Sequence, residues 1–229
     1  MIQLGPYYVK HTADLSPTLQ TTQANKESMH HSGGAYLETQ LIYGTMIEHC
    51  LQAGGKRFLI AGLGLGYIEW TLAAKALSLR LSFEDLEITS LENDPFLVDL
   101  QDQFIGRLQE NPVLKEASSF FDQFEKVREF LHHLRRKNRW QIKSDWNSCS
   151  GGFHGICYDF YSSKQTPELW SENFLKEFLA HCADRKSCWF STYACTGNLK
   201  RALKQQGFQL EKTKGFSKKR DSTFATRFC

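Results

Sequence analysis

Residues 58–70, FLIAGLGLGYIEW, pass from a short apolar run through three alternating glycines into a helical pattern. Glycine carries no Cβ and accepts left-handed backbone angles, so glycines placed this way permit a tight turn and leave the backbone open to a ligand. The stretch reads as a buried strand from Phe58 to Ala61, a turn Gly62-Leu63-Gly64-Leu65-Gly66, and a helix through IEWTLAAKAL, which is rich in strong helix formers. A dinucleotide fingerprint, GxGxxG, would need glycine at position 67, where Tyr67 stands. The pattern is GxGxG. It reads either as a ligand loop or as a plain strand-to-helix link.

Strands and helices alternate through most of the remaining chain. EITSLE is a strand ending at Glu92, WQIKSD one running into Asp145, HGICYDFY one running into Asp159, and SCWFSTYA a further strand. Between them, Asp94 and Pro95 open one helix as N-cap and first residue, and Thr166 and Pro167 open another. The spacing of Phe120, Phe124, Val127, Leu131 and Leu134 predicts an amphipathic helix within 118–137. Residues 35–50 predict an earlier helix with Leu37, Leu41 and Ile47 on its apolar face. Thr196 caps a later helix closed by Gly207, and FQLEKTK with STFATRF forms a terminal antiparallel hairpin. The fold class is therefore α/β, a mostly parallel sheet covered on both faces. No Pro/Gly/Ser-rich linker divides the 229 residues, so one domain is expected over 1–229.

Ligands of such sheets sit at the carboxyl ends of the strands. Here those ends supply the glycine turn and three acids, Glu92, Asp145 and Asp159. A pyrophosphate would be repelled by that company, whereas a nucleoside with a cationic tail would be attracted. S-adenosylmethionine fits: Glu92 can accept both ribose hydroxyls, Asp145 can accept the adenine amino group, and the sulfonium prefers carboxylates and aromatic faces. Asp145 also reads as an ordinary loop acid. Asp159-Phe160-Tyr161 is placed to meet an acceptor, with Asp159 binding and aiming an amine while water or a tyrosine takes its proton; general base is the second reading for Asp159.

Composition narrows the alternatives. No run approaches the roughly 18 apolar residues of a membrane span. The N-terminus shows no basic head followed by an apolar core, which predicts a cytoplasmic location. Seven scattered cysteines without a CxxC pair argue for free thiols, and the histidine doublets His30-His31 and His132-His133 point apart, so no metal site is expected. The net charge of +3 is concentrated in KRALKQQGFQLEKTKGFSKKR, residues 200–220, with a smaller cluster at Arg135-Arg136-Lys137 and Arg139. Such clusters are either solvated faces or contacts for a polyanion such as nucleic acid.

Several short motifs, in step, resemble the methyltransferase half of the MnmC family and its free-standing relatives. DFYSSKQTPELW keeps Asp159, Pro167, Glu168 and Trp170 of that family's acidic-aromatic stretch. TADLSPTL is similar to its lead-in, and HHSGGAYLET is similar to its segment of His-Ser, Gly-Ala and Glu, with His31, Ser32, Ala35 and Glu38 in place. LGLGY, LENDP, STYACTGNLKRALKQQGF and KTKGFSKKRD extend the likeness over nearly the whole chain. Phe160 stands where the family has glycine, Ser163 where it has proline, and Leu15 where it has glycine.

The resemblance implies a Rossmann-like class I fold with a seven-stranded sheet, residues 1–50 forming an N-terminal extension and helix packed on the core. It implies S-adenosylmethionine held by Gly62, Gly64, Gly66, Glu92, Asp145, Glu38 and Asp159, with Asp159 and Tyr161 catalytic. The expected reaction is methylation of the aminomethyl nitrogen on C5 of a tRNA wobble uridine. Lys212, Lys214, Lys218, Lys219 and Arg220 would hold the tRNA anticodon region, and a separate oxidase or modification enzyme would make the aminomethyl substrate, since no second nucleotide motif is present. A same-fold enzyme with another acceptor, such as a small amine, and a non-catalytic RNA-binding relative are the alternatives.

Overall fold

The computed structural model of the chain describes residues 2–22, 27–107, 110–216 and 221–228. Three short strands come first: β1 (Ile2–Leu4), β2 (Tyr7–His11) and β3 (Pro17–Thr21). They form an antiparallel sheet in that order. Next, α1 (Ala35–Thr39) passes through a single π turn (Gln40–Gly44) into α2 (Thr45–Gln52). The alternating part follows as β4 (Arg57–Ala61), α3 (Tyr67–Ser78), β5 (Glu87–Leu91), α4 (Pro95–Ile105), α5 (Pro112–Ser118), α6 (Phe124–Arg136), β6 (Trp140–Lys143), β7 (Gly155–Tyr158), α7 (Glu172–Cys182), β8 (Ser187–Thr192) and α8 (Gly197–Gln205). A hairpin of β9 (Gln209–Lys214) and β10 (Asp221–Phe228) ends it.

The main sheet has seven strands in the order β6-β5-β4-β7-β8-β10-β9. All neighbours are parallel except β10, which is antiparallel to both β8 and β9. From β4 the chain moves outward through β5 to β6, then returns to place β7 on the other side of β4. That reversal makes the β4–β7 boundary the topological switch point, where an open α/β sheet leaves a crevice.

Both faces of the sheet are covered, and the strand sequences show why. In β4, Phe58 and Ile60 join the apolar core on one side while Leu59 and Ala61 join the core on the other. In β7, Ile156 and Tyr158 take the second side and Cys157 the first. Side chains alternate across a strand, so a strand buried on both faces must be apolar throughout.

Several local expectations change. Of the expected apolar face Ile47 is buried but Leu37 and Leu41 are exposed, and Ile42, Tyr43, Met46, Cys50 and Leu51 are buried with Ile47; the π turn shifts the phase of the helix behind it. Thr166 does not cap α7: Pro167–Trp170 is a 3₁₀ turn, and the Phe174 amide donates to the hydroxyl of Ser171, which is the true N-cap. The Thr166 hydroxyl donates to the Tyr161 carbonyl at 3.0 Å, fixing the loop after β7. Phe120 lies outside α6, and α5, capped by Asn111, is an additional helix ahead of it.

Candidate active site

The residues that follow the strands converge. The Asp159 amide donates to the Ala61 carbonyl at 2.8 Å, and the Gly62 amide to the Leu91 carbonyl at 3.1 Å, so the ladders of β4, β5 and β7 continue to the rim. Beyond them opens a cavity of about 490 Å³ whose walls include Gly62, Gly64, Glu92, Asp145, Asp159, Tyr161 and Glu38. That volume lies within the usual range for small-molecule sites.

The three glycines do different work. Gly62 has φ 109°, and a Cβ there would sit 2.5 Å from the backbone oxygen of Asp159, so its absence lets β4 and β7 close together. Gly64, at φ 52°, has only the Met29 sulfur near its missing Cβ, at 3.5 Å, and leaves bare backbone on the cavity wall. Gly66 is not part of that wall. It precedes α3, and a Cβ there would meet the Gln101 amide nitrogen at 2.9 Å and Trp70 Nε1 at 3.0 Å, so its role is packing.

Six carboxylates line the cavity, those of Glu27, Glu38, Glu92, Asp94, Asp145 and Asp159, and no lysine or arginine does among the described residues. Glu92 Oε1 accepts the amides of Asn93 and Asp94, each at 2.9 Å. Burial outweighs these bonds and that of the Gly64 amide, and holds the Glu92 carboxyl above the ordinary glutamate range. Asp94 caps α4 through Oδ1 and accepts the Tyr7 hydroxyl on Oδ2 at 2.5 Å, which ties the N-terminal sheet to the acidic loop. Asp145 accepts the Asn147 amide at 2.7 Å at the exposed mouth, and Trp146 beside it lines the cavity edge-on to Phe174.

On the acceptor side, Asp159 Oδ1 accepts the Tyr43 hydroxyl at 2.5 Å. The Tyr161 hydroxyl is buried, faces that of Tyr7, and meets no partner in good hydrogen-bond geometry among the described residues. Burial pushes Tyr43, Tyr161 and Tyr7 upward, so all three are neutral phenols at physiological pH. Phe160 lines the cavity, with its ring edge-on to Tyr158. Glu38 Oε2 accepts the His31 amide at 2.8 Å and so holds the wall segment that carries His30 and His31. The Gly33 amide donates to His31 Nδ1 at 2.9 Å, which puts the proton of the neutral ring on Nε2.

Tyr7, Glu27, Tyr43 and Trp146 were not singled out in the sequence, and Asp94 was read there only as a cap. Of the basic residues assigned to RNA, Lys212 and Lys214 stand on β9 opposite Thr223 and Asp221, with side chains outside the description. Lys218, Lys219 and Arg220 lie outside the described residues. The hairpin nonetheless reaches the cavity rim, because Phe216 packs edge-on against His31, ring centres 5.7 Å apart. Among the described residues no cluster of histidine, cysteine, aspartate or glutamate suits a metal ion, and no helix is long and apolar enough to cross a membrane.

Residues 143–227 match a family described as S-adenosyl-L-methionine-dependent methyltransferase. The chain is similar to the tRNA 5-methylaminomethyl-2-thiouridine biosynthesis bifunctional protein MnmC of Hahella chejuensis, 39% identical over 80 residues, 34% of this chain and 12% of that protein. With MnmC of Marinomonas sp. it shares 27% identity over 177 residues, 72% of this chain and 26% of the relative. It thus spans about a quarter of these relatives' length, or less. The crystal structure of MNMC2 from Aquifex aeolicus superimposes with a TM-score of 0.68 at 18% identity, covering 97% of this chain and 70% of that one, and so shares the fold. The chain is thus similar to the MnmC proteins over most of its length, matches the S-adenosyl-L-methionine-dependent methyltransferase family over residues 143–227, and shares its fold with MNMC2.

Proposed function

We propose that the chain methylates the aminomethyl nitrogen on C5 of a tRNA wobble uridine, with S-adenosylmethionine as donor. The names of its MnmC relatives place those proteins in tRNA 5-methylaminomethyl-2-thiouridine biosynthesis. The observation that carries the reading is the charge of the cavity: six carboxylates and, among the described lining residues, no lysine or arginine. Such a wall disfavours phosphates and favours a ligand with a sulfonium and an ammonium group.

The residues fit that ligand. Gly64 exposes backbone, Glu92 would accept ribose hydroxyls, and Asp145 with Trp146 offers an acceptor and an aromatic face for the adenine. Bound there, S-adenosylmethionine supplies an electrophilic methyl carbon with a thioether as leaving group. Asp159 binds and aims the acceptor amine, whose lone pair forms the new C–N bond while the C–S electrons return to sulfur and one N–H proton is released. Freeing the lone pair of an amine of pKa about 10 at pH 7 costs about 4 kcal/mol. A carboxylate favours the ammonium form, so Asp159 does not reduce that cost. The buried phenols of Tyr161 and Tyr43 are donors, not bases, at physiological pH, and we assign the proton to solvent water. Lys212, Lys214, Lys218, Lys219 and Arg220 would hold RNA phosphates, with Phe216 at the rim between hairpin and cavity.

Transfer of labelled methyl to tRNA carrying the aminomethyl group, to tRNA lacking it, and to free small amines tests the proposal. Label confined to the aminomethyl tRNA, and abolished by Asp159→Ala with S-adenosylmethionine still bound, is the expected result. Label found only on small amines would assign a different acceptor, and no binding of S-adenosylmethionine would remove the enzyme altogether.

A further inference from the structure

The π turn between α1 and α2 has a consequence at the acceptor site. One extra residue in a helical turn advances every later side chain by about 100°. Here the turn is clamped from outside. Gln40 Nε2 donates to the Thr71 hydroxyl of α3 at 2.8 Å, and Gly44 lies so close to α3 that a Cβ would come within 3.4 Å of Thr71 and 3.3 Å of Lys75. The residue delivered by this arrangement is Tyr43, which is 2% exposed and whose hydroxyl donates to Asp159 Oδ1.

A buried tyrosine needs some partner for its hydroxyl, and the Tyr158 carbonyl, 3.4 Å away, was available for that alone. The short bond goes instead to the carboxylate at the end of β7. Hydrogen bonds of this length to ionised groups are stronger than neutral ones and fix the acceptor's orientation. Burial, with Asp159 and Glu38 nearby, keeps the Tyr43 phenol protonated, so the donor persists at every working pH.

We propose that Tyr43 is a positioning residue for methyl transfer: it pins one oxygen of Asp159 and thereby sets the direction in which the carboxylate aims the acceptor amine. This rests on the methyltransferase reading above. The decisive comparison is Tyr43→Phe, which keeps the ring and removes only the donor, in the wild-type background and in Asp159→Ala, which removes the acceptor of that bond. Single-turnover transfer to aminomethyl tRNA should fall roughly 10- to 100-fold in Tyr43→Phe. The S-adenosylmethionine Kd should stay within about twofold, and the acid limb of the rate profile should move to higher pH, because a donor to the charged form is gone. On top of Asp159→Ala the same change should cost the residual single-turnover rate nothing more, since the two act as one unit. An unchanged rate and pH profile in Tyr43→Phe, or an equal loss in both backgrounds, overturns the role. A wild-type chain that binds S-adenosylmethionine yet methylates no amine overturns the reading beneath it, and the role with it.

Discussion

The glycine turn separates two regions that each hold a carboxyl displaced upward by burial. Beneath it, Glu69 of α3 is fully buried, and its carboxyl is pushed up to about 8. Its Oε1 accepts the Ser90 hydroxyl at 2.6 Å, Ser90 accepts Trp140 Nε1 at 3.0 Å, and Oε2 has no partner among the described residues. Above the turn, Glu92 is also raised by burial, but backbone amides face its oxygens and the cavity opens beside it. Burial displaces both acids, and access separates them. Glu69 is sealed in as a neutral group of the core, whereas Glu92 lines the cavity and can be reached by a ligand.

The largest effect should come from exchanging access for its loss. If Glu92 accepts both ribose hydroxyls as proposed, Glu92→Ala removes two charge-assisted bonds, each worth about 1.5–3 kcal/mol, and S-adenosylmethionine affinity should fall about 100-fold or more by calorimetry. Glu69→Gln should leave it within a few-fold. If Glu69→Gln weakened binding as much as Glu92→Ala, the division between sealed and open acids would fail. Binding to the wild type should also weaken on acidification at a pH above the ordinary glutamate value of 4.5, because Glu92 must be ionised to accept both hydroxyls.

Stability should separate the two acids in the opposite sense. Below about pH 4.5 Glu69 holds its proton whether folded or not, and between 4.5 and about 8 only the folded chain holds it. Folding takes up a proton in that window, so stability falls as pH rises, by about 1.4 kcal/mol per unit. Between pH 5 and pH 7 that is roughly 2–3 kcal/mol, readable by urea denaturation as the difference in slope between wild type and Glu69→Gln. A wild-type curve parallel to that of Glu69→Gln would mean that Glu69 is ionised in the core.

The sequence disclosed the open region better than the sealed one. Strands β4 and β7 are largely apolar runs, β5 and β6 mix apolar with polar residues, and the four stop at a glycine turn, Asp159, Glu92 and Asp145; a parallel sheet gathers such stops at one edge. The hairpin was equally plain from its alternation. Glu69 was hidden because a glutamate in the first turn of a helix ordinarily faces water near the positive dipole. Tyr43 was hidden because a tyrosine in an apolar helix reads as core, and its partner lies 116 residues away. The N-terminal sheet escaped notice because β1, β2 and β3 are short, and their register depends on contacts such as Tyr7 with Asp94, which no local pattern encodes.

The smallest expected effect tests the turn itself, since its glycines face opposite regions. Alanine at position 64 would hold a left-handed angle, costing about 1–2 kcal/mol, while its methyl would meet only the Met29 sulfur at an ordinary 3.5 Å. At position 66 the same strain applies at φ 82°, and the methyl would press on Gln101 and Trp70 inside the core. Gly66→Ala should therefore destabilise more than Gly64→Ala in urea, although Gly64→Ala should weaken S-adenosylmethionine more, because only its methyl enters the cavity. The reverse order in both measurements would place the ligand on the α3 side of the turn and exchange the roles of the two regions.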